Sequence, residues 1–268
     1  MADDLIKYKP NKMAKSTWDY LLKFTIHHEG VVNHMYHNFP IGSDFPDVSC
    51  GIGFLLATEK GSPKTPSAIT IKNWVKHFVN PDGTPANEDQ FVKEWERCYE
   101  ITRVSQPRGG IINEFVAKVE NKVEIKLRLK SSIVKPKMAE LLASKLNTEL
   151  NQLPLKNVDI WNFPAVAQIA IASVSYGYSP TKMPNFGTAL TQKNFRAAAR
   201  EIQLSNMSGI KNYDHWLLMT DAEYIYEYHR EDAAAMSYLP LTLSKWMPVG
   251  NHPGALGLYG KSEQIMSE

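Results

Sequence analysis

The hydrophobic pattern changes period within the first fifty residues. Trp18, Leu21, Leu22, Thr25 and Ile26 recur every three or four positions, which predicts an amphipathic helix. Ser16, with Asp19 three positions later, resembles a capping box at its start, and Gly30 supplies a stop directly after Glu29. The stretch Phe39-Pro40-Ile41-Gly42-Ser43-Asp44-Phe45-Pro46-Asp47 is rich in turn residues. It predicts a loop or short twisted hairpin leading into Ser49–Leu56.

Further along, helical spacing returns. Ala68–Val79 predicts a helix with Ile69, Trp74, Val75 and Phe78 inward, and Asn80-Pro81-Asp82-Gly83 a turn. Glu88–Thr102 carries Phe91, Trp95 and Tyr99 at four-residue spacing; Ile111–Leu129 reads as either helix or hairpin. Pro136 suits the first turn of a helix through Leu153, with Met138, Leu141, Leu142 and Leu146 on one face. Phe163–Tyr176 is apolar around most of its circumference, the pattern of a central buried helix ended by Gly177. Three more helical stretches follow at Gly187–Gln192, Phe195–Ser205 and Asp221–Ser237. The fold class is therefore mainly α (α+β). Residues 1–15 read as a polar arm, 16–245 as one domain with an insertion at about 57–130, and 246–268 as a tail.

Composition narrows the function classes. A hydrophobic content of 43% with 22% charged residues is that of a globular chain, which removes disordered and fibrous classes. The net charge of +2 comes from dispersed Lys and Arg, so no nucleic-acid interface is expected. No run reaches the roughly 18 apolar residues of a membrane span. Met1–Lys7 lacks the basic start and apolar run of a secretory signal, so synthesis in the cytoplasm without a signal peptide is expected. Cys50 and Cys98 are the only cysteines; they leave open a single disulfide, two packed thiols, or a nucleophilic Cys50 in its Gly-rich segment. His27, His28, His34 and His37 form the densest histidine patch, and the spacing of His34 and His37 suits one helix face. Without a His-Glu-x-x-His motif these read as surface or pocket histidines, with no metal and no cofactor implied.

The chemistry-bearing order is Glu29-Gly30, then Asp44 and Asp47, then Ser49-Cys50-Gly51-Ile52-Gly53-Phe54. Downstream stand Tyr176-Gly177, Phe186-Gly187-Thr188-Ala189-Leu190 and Gln192-Lys193-Asn194-Phe195-Arg196-Ala197-Ala198-Ala199. In this order the chain resembles phage-type lysozymes, over roughly 16–60 and 132–237. The resemblance implies a lysozyme-like fold, a small β-hairpin lobe plus a helical lobe with an inserted helical segment. It implies Glu29 as a general acid in a cleft, kept protonated by desolvation.

In those lysozymes an Asp follows the Glu by nine positions, where this chain has Asn38; the Thr of their hairpin is matched by Ser49. Chitosanases of the same broad superfamily have an Asp five residues before a water-holding Thr, as Asp44 stands to Ser49. Asp44 is thus the expected second carboxylate and Asp47 the alternative, with Ser49 holding the attacking water. Tyr36, Asn38 and Tyr176 are expected to line the sugar groove. The activity implied is cleavage of β-1,4 bonds in peptidoglycan glycan strands, by an endolysin or by an antibacterial effector working in a target's periplasm or wall. An effector brings secretion machinery, such as a type VI system, and a cognate immunity protein as partners. A chitosanase or chitinase, and a non-catalytic binding protein on the same scaffold, are the alternatives.

Overall fold

The computed structural model describes residues 5–38, 47–57, 63–105, 126–152, 154–202 and 209–240. Those residues form a mainly helical protein with a small antiparallel sheet. No described helix is long and apolar enough to cross a membrane. The chain divides into two compact units, residues 1–28 with 135–247 and residues 29–134 with 248–268. The segment at 57–130 falls wholly in the second unit.

The first unit is built around helix α5, Ala165–Gly177. Every residue from Ala165 to Tyr176 is buried, as its all-round apolar pattern requires. Helix α1, Lys15–Glu29, turns Trp18, Leu21, Leu22, Thr25 and Ile26 inward, the stripe its spacing predicts. Trp18 donates from Nε1 to the Leu5 carbonyl at 3.2 Å, and Met13 is buried, so residues 5–13 are tied down. Helix α4, Ser131–Leu150, begins one turn earlier than expected and carries Pro136 in its interior. Met138, Leu142 and Leu146 on its inner face are fully buried.

Helices α6 (Pro184–Thr191), α7 (Phe195–Glu201), α8 (Gly209–Tyr228) and α9 (Ala233–Met236) complete this unit. Helix α8 starts twelve residues before the predicted Asp221, because Leu218 and Met219 on its buried side extend the apolar stripe. Glu223 of α8 accepts from the Phe195 and Arg196 amides at 2.7 and 3.1 Å, and Asn194 caps Ala197 at 2.8 Å. Two side chains of α8 thus sit beside groups elsewhere in the core: His215 hydrogen-bonds Ser173 of α5 at 3.0 Å, and Asp214 approaches His28 of α1 to 3.0 Å.

In the second unit, β1 (Val32–Asn38), β2 (Asp47–Gly51) and β3 (Phe54–Leu55) pair antiparallel in that order. Tyr36 faces Ser49 and Asn38 faces Asp47 across the β1–β2 ladder, with an irregularity between Val32 and Tyr36. Helix α2 spans Ala68–Trp74 rather than reaching Val79. Phe78 and Val79 leave it as strand β4 and pair with β5, Arg128–Leu129. Trp74 is buried as expected, but Ile69, also expected inward, is 63% exposed, and Thr70 is buried in its stead. Helix α3, Glu88–Ser105, packs Phe91, Trp95 and Cys98 into the core beside β1. The predicted Ile111–Leu129 element lies largely outside the described residues, as does the whole of the tail at 246–268.

The buried histidines of the first unit make its stability depend on pH. Burial, then Lys211 and His28, hold the His215 pKa well below the ordinary value. Burial lowers that of His28 as well, against the opposing pull of Asp214, with His27 and Lys211 adding to the lowering. A base with a depressed folded pKa lets the unfolded chain bind the proton first. Stability is therefore full above about pH 6.5 and is lost as pH falls below it, by up to about 1.4 kcal/mol per unit for each histidine. Thermal melts at pH 7.5, 6.5 and 5.5 should show a falling midpoint, and His215→Asn should flatten that fall. A midpoint that does not move over this range contradicts the assignment.

Candidate functional site

Glu29 is the last residue of α1 and is half-buried. Gly30 follows with φ 66°, a left-handed conformation that glycine adopts without a Cβ penalty and that ends the helix. Two residues later the chain is already in β1. Glu29 therefore stands at a helix-to-strand turn.

Tyr36 of β1 is its neighbour in electrostatic terms. Burial chiefly raises the Tyr36 pKa, and the Cys50 and Glu29 charges add to the effect. The Gly53 backbone N–H donates to the phenolic oxygen. Gly53 has φ 78°, and Gly51 before it has φ 62°. A Cβ on Gly51 would meet the Phe54 ring at 2.5 Å, so the turn after β2 admits only glycine there. These features bring Glu29, Tyr36 and the Gly51–Gly53 turn into one neighbourhood of the second unit. Ser49 stands directly across the ladder from Tyr36 and is 3% exposed.

Asp47 opens β2 opposite Asn38, two residues before Ser49. Asp44 lies outside the described residues. Cys50 and Cys98 are free and buried. Burial raises the Cys50 pKa well above the ordinary thiol value, and Cys98, donating to the Met35 carbonyl at 3.4 Å, is pushed up to about 12. A buried, protonated thiol is a poor nucleophile, so the Cys50 alternative loses its physical basis.

Tyr176 belongs to the first unit, at the C-terminal end of α5, and is 6% exposed. Lys145 donates to its carbonyl and stands 4.9 Å from its ring centre, satisfying a helix-end acceptor and the aromatic face together. Tyr176, Lys145, Thr148, Glu149, Ser175 and Ser179 line a cavity of about 270 Å³. Glu149 is nearly buried and accepts from Ser179 at 2.7 Å. Only Tyr176 stood out in the sequence. Lys145 and Glu149 sit at i,i+4 on α4, a spacing too common on a solvated face to single them out.

Among the described residues, the donor atoms of His27, His28 and Asp214 lie within 4.8 Å of one another. His27 and His28 are helix neighbours that diverge by about 100°. A positive Lys211 also acts on His28. The arrangement suits a buried His–Asp pair better than a metal centre. His34 and His37 lie on strand β1, so the helix-face relation expected for them does not exist; His34 is 1% exposed.

Comparison with family models, curated proteins and solved structures finds no match to this chain.

The Tyr36–Gly53 bond is open to test. Tyr36→Phe removes the acceptor of the Gly53 N–H; Gly53 is exposed, so water can replace the hydroxyl and the loss is that of one ordinary hydrogen bond, about 0.5–1.5 kcal/mol. The expected result is a lower denaturation midpoint with an unchanged far-UV spectrum. An unchanged midpoint means that the hydroxyl does not hold the turn.

Proposed function

We propose that the protein is a glycoside hydrolase that cuts β-1,4 bonds in the glycan strands of peptidoglycan. The observation that carries this reading is the seating of Glu29. A half-buried carboxyl closes a helix, and the adjoining sheet sets Tyr36, Ser49 and a two-glycine turn near it. Glycosidic cleavage needs such a carboxyl to protonate the leaving oxygen.

Glu29 is the general acid. Asp44 stabilises the oxocarbenium-like charge and, with the Ser49 hydroxyl, holds the attacking water on the opposite face, giving inversion. Asp47 is the alternative second carboxylate, since β2 carries it two residues from Ser49. Tyr36 and Asn38 on β1 supply contacts for sugar rings and their hydroxyls, and Tyr176 offers the same chemistry within the first unit, beside its own polar cavity. The setting proposed is an antibacterial one, an endolysin or an effector delivered into a rival's periplasm and paired with an immunity protein. One observation favours a second reading: Asn38 stands where a lysozyme has its Asp, which suits a scaffold that binds glycan without cutting it.

Glu29→Gln decides between them. The amide fills nearly the same volume and cannot donate a proton, so clearing of a wall suspension should fall by at least about 10²–10⁴-fold in a folded protein. Wild-type clearing by the variant removes Glu29 from the chemistry, and no clearing by the wild type supports the binding reading. Asp44→Asn should lose far more activity than Asp47→Asn; the reverse moves the second carboxylate to Asp47.

Ser49 and the stereochemistry test the water. Ser49→Ala should slow hydrolysis strongly, and Ser49→Thr, which keeps the hydroxyl, should be tolerated. Proton NMR of the fresh reducing end should show the α anomer first. A β anomer appearing first requires a covalent or substrate-assisted route and removes Ser49 from the water-holding role.

A further inference from the structure

The second unit contains a cavity of about 410 Å³ remote in sequence from Glu29, within the size range of small-ligand sites. Gln90, Lys93, Glu94 and Arg97 of α3 line it. They fall at i, i+3, i+4 and i+7, so one polar stripe of that helix faces the cavity while Phe91, Trp95 and Cys98 on the other side fill the core. Asn80, at the end of β4, and Lys126, just before β5, close the opposite wall. Among the described residues, the charged lining is three cations against one carboxylate.

That carboxylate is already committed. Glu94 is 2% exposed and accepts from Arg97 Nε at 2.8 Å and from Nη2 at 2.7 Å. This two-point pairing orients the guanidinium and neutralises it. Arg97 Nη1 is left buried with no hydrogen-bond partner, a feature that in a native protein calls for a ligand, ion or water. Among the described residues, Lys93 pairs with Asp89 in an exposed i,i+4 contact, which is weak and free to rearrange. With Glu94 occupied, Lys93, Lys126 and the unused edge of Arg97 leave the described lining of the cavity with an excess of positive charge.

We propose that this cavity binds a small organic anion through its carboxylate, of the kind that the peptide stems of peptidoglycan present. The identity of the stem as its source rests on the wall-hydrolase reading; the carboxylate chemistry rests on the cavity alone. The role assigned to the 57–130 segment is thus substrate selection. It would favour glycan carrying acidic peptides over bare glycan.

The test uses the full chain bearing Glu29→Gln, so that binding is read without turnover. Muramyl dipeptide is titrated by calorimetry or NMR, beside the same compound with its carboxylate amidated, a peptide-free chitooligosaccharide, and inorganic phosphate. Binding of the free acid is expected to weaken at least tenfold on amidation and at least tenfold in Lys93→Glu with Lys126→Glu. These are surface changes that should leave the fold intact. Arg97→Lys, which keeps the charge beside Glu94 but loses the fork, should also weaken it.

Equal affinity for the amidated compound, an unchanged affinity in the double variant, or selection of phosphate over the carboxylate overturns the proposal. If the wild type fails to cut walls while the free acid still binds in this charge-dependent way, the wall-hydrolase reading falls and the anion site stands.

Discussion

A helix with no face for water has to be enclosed, and α5 imposes that demand on the first unit. Each residue from Ala165 to Tyr176 is out of solvent, so its neighbours must supply apolar surface all round it. Polar groups that enter such a core must meet partners, because an unpaired one carries the full desolvation cost. Ser173 therefore bonds His215, and Asp214 one residue earlier meets His28. The same burial that orders the helices sets the protonation of the histidines, and through it the response to acid.

In the second unit the corresponding constraint is conformational. Gly30, Gly51 and Gly53 all take left-handed backbone angles, and Gly51 also leaves no room for a side chain against Phe54. Gly30 ends α1 on Glu29, and the other two shape the turn from which Gly53 reaches the Tyr36 hydroxyl. Backbone geometry thus sets where Glu29 and its surroundings stand in the chain.

Helices with a long apolar stripe were legible in the sequence. The stripe of α1 and the all-apolar run of α5 appear where their residue patterns put them. What the pattern could not decide was short. Phe78 and Val79 continue the spacing of α2, yet they form a two-residue strand, because their partners Arg128 and Leu129 are some fifty residues away. Ile69 looked inward by hydrophobicity alone, but the helix phase set by Trp74 turns it to solvent. The early start of α8 was not legible because Asp214 and His215 interrupt the apolar spacing before Leu218, although both are buried. At the candidate site, the order Glu29, Ser49, Gly51, Gly53 was readable as a motif. The pairing of Tyr36 with Ser49 and the Gly53 bond to Tyr36 depend on strand register, which no spacing rule fixed.

The central claim is that Glu29 drives hydrolysis of a glycosidic bond in the wall polymer. The most direct measurement is mass analysis of the products released from purified peptidoglycan in ¹⁸O-labelled water. Hydrolysis by a muramidase puts one heavy oxygen on a new muramic-acid reducing end, and the Glu29→Gln protein should yield none. Anhydro ends without label, glucosamine reducing ends, peptides freed from intact glycan, or labelled muramic ends from both proteins alike would each contradict it.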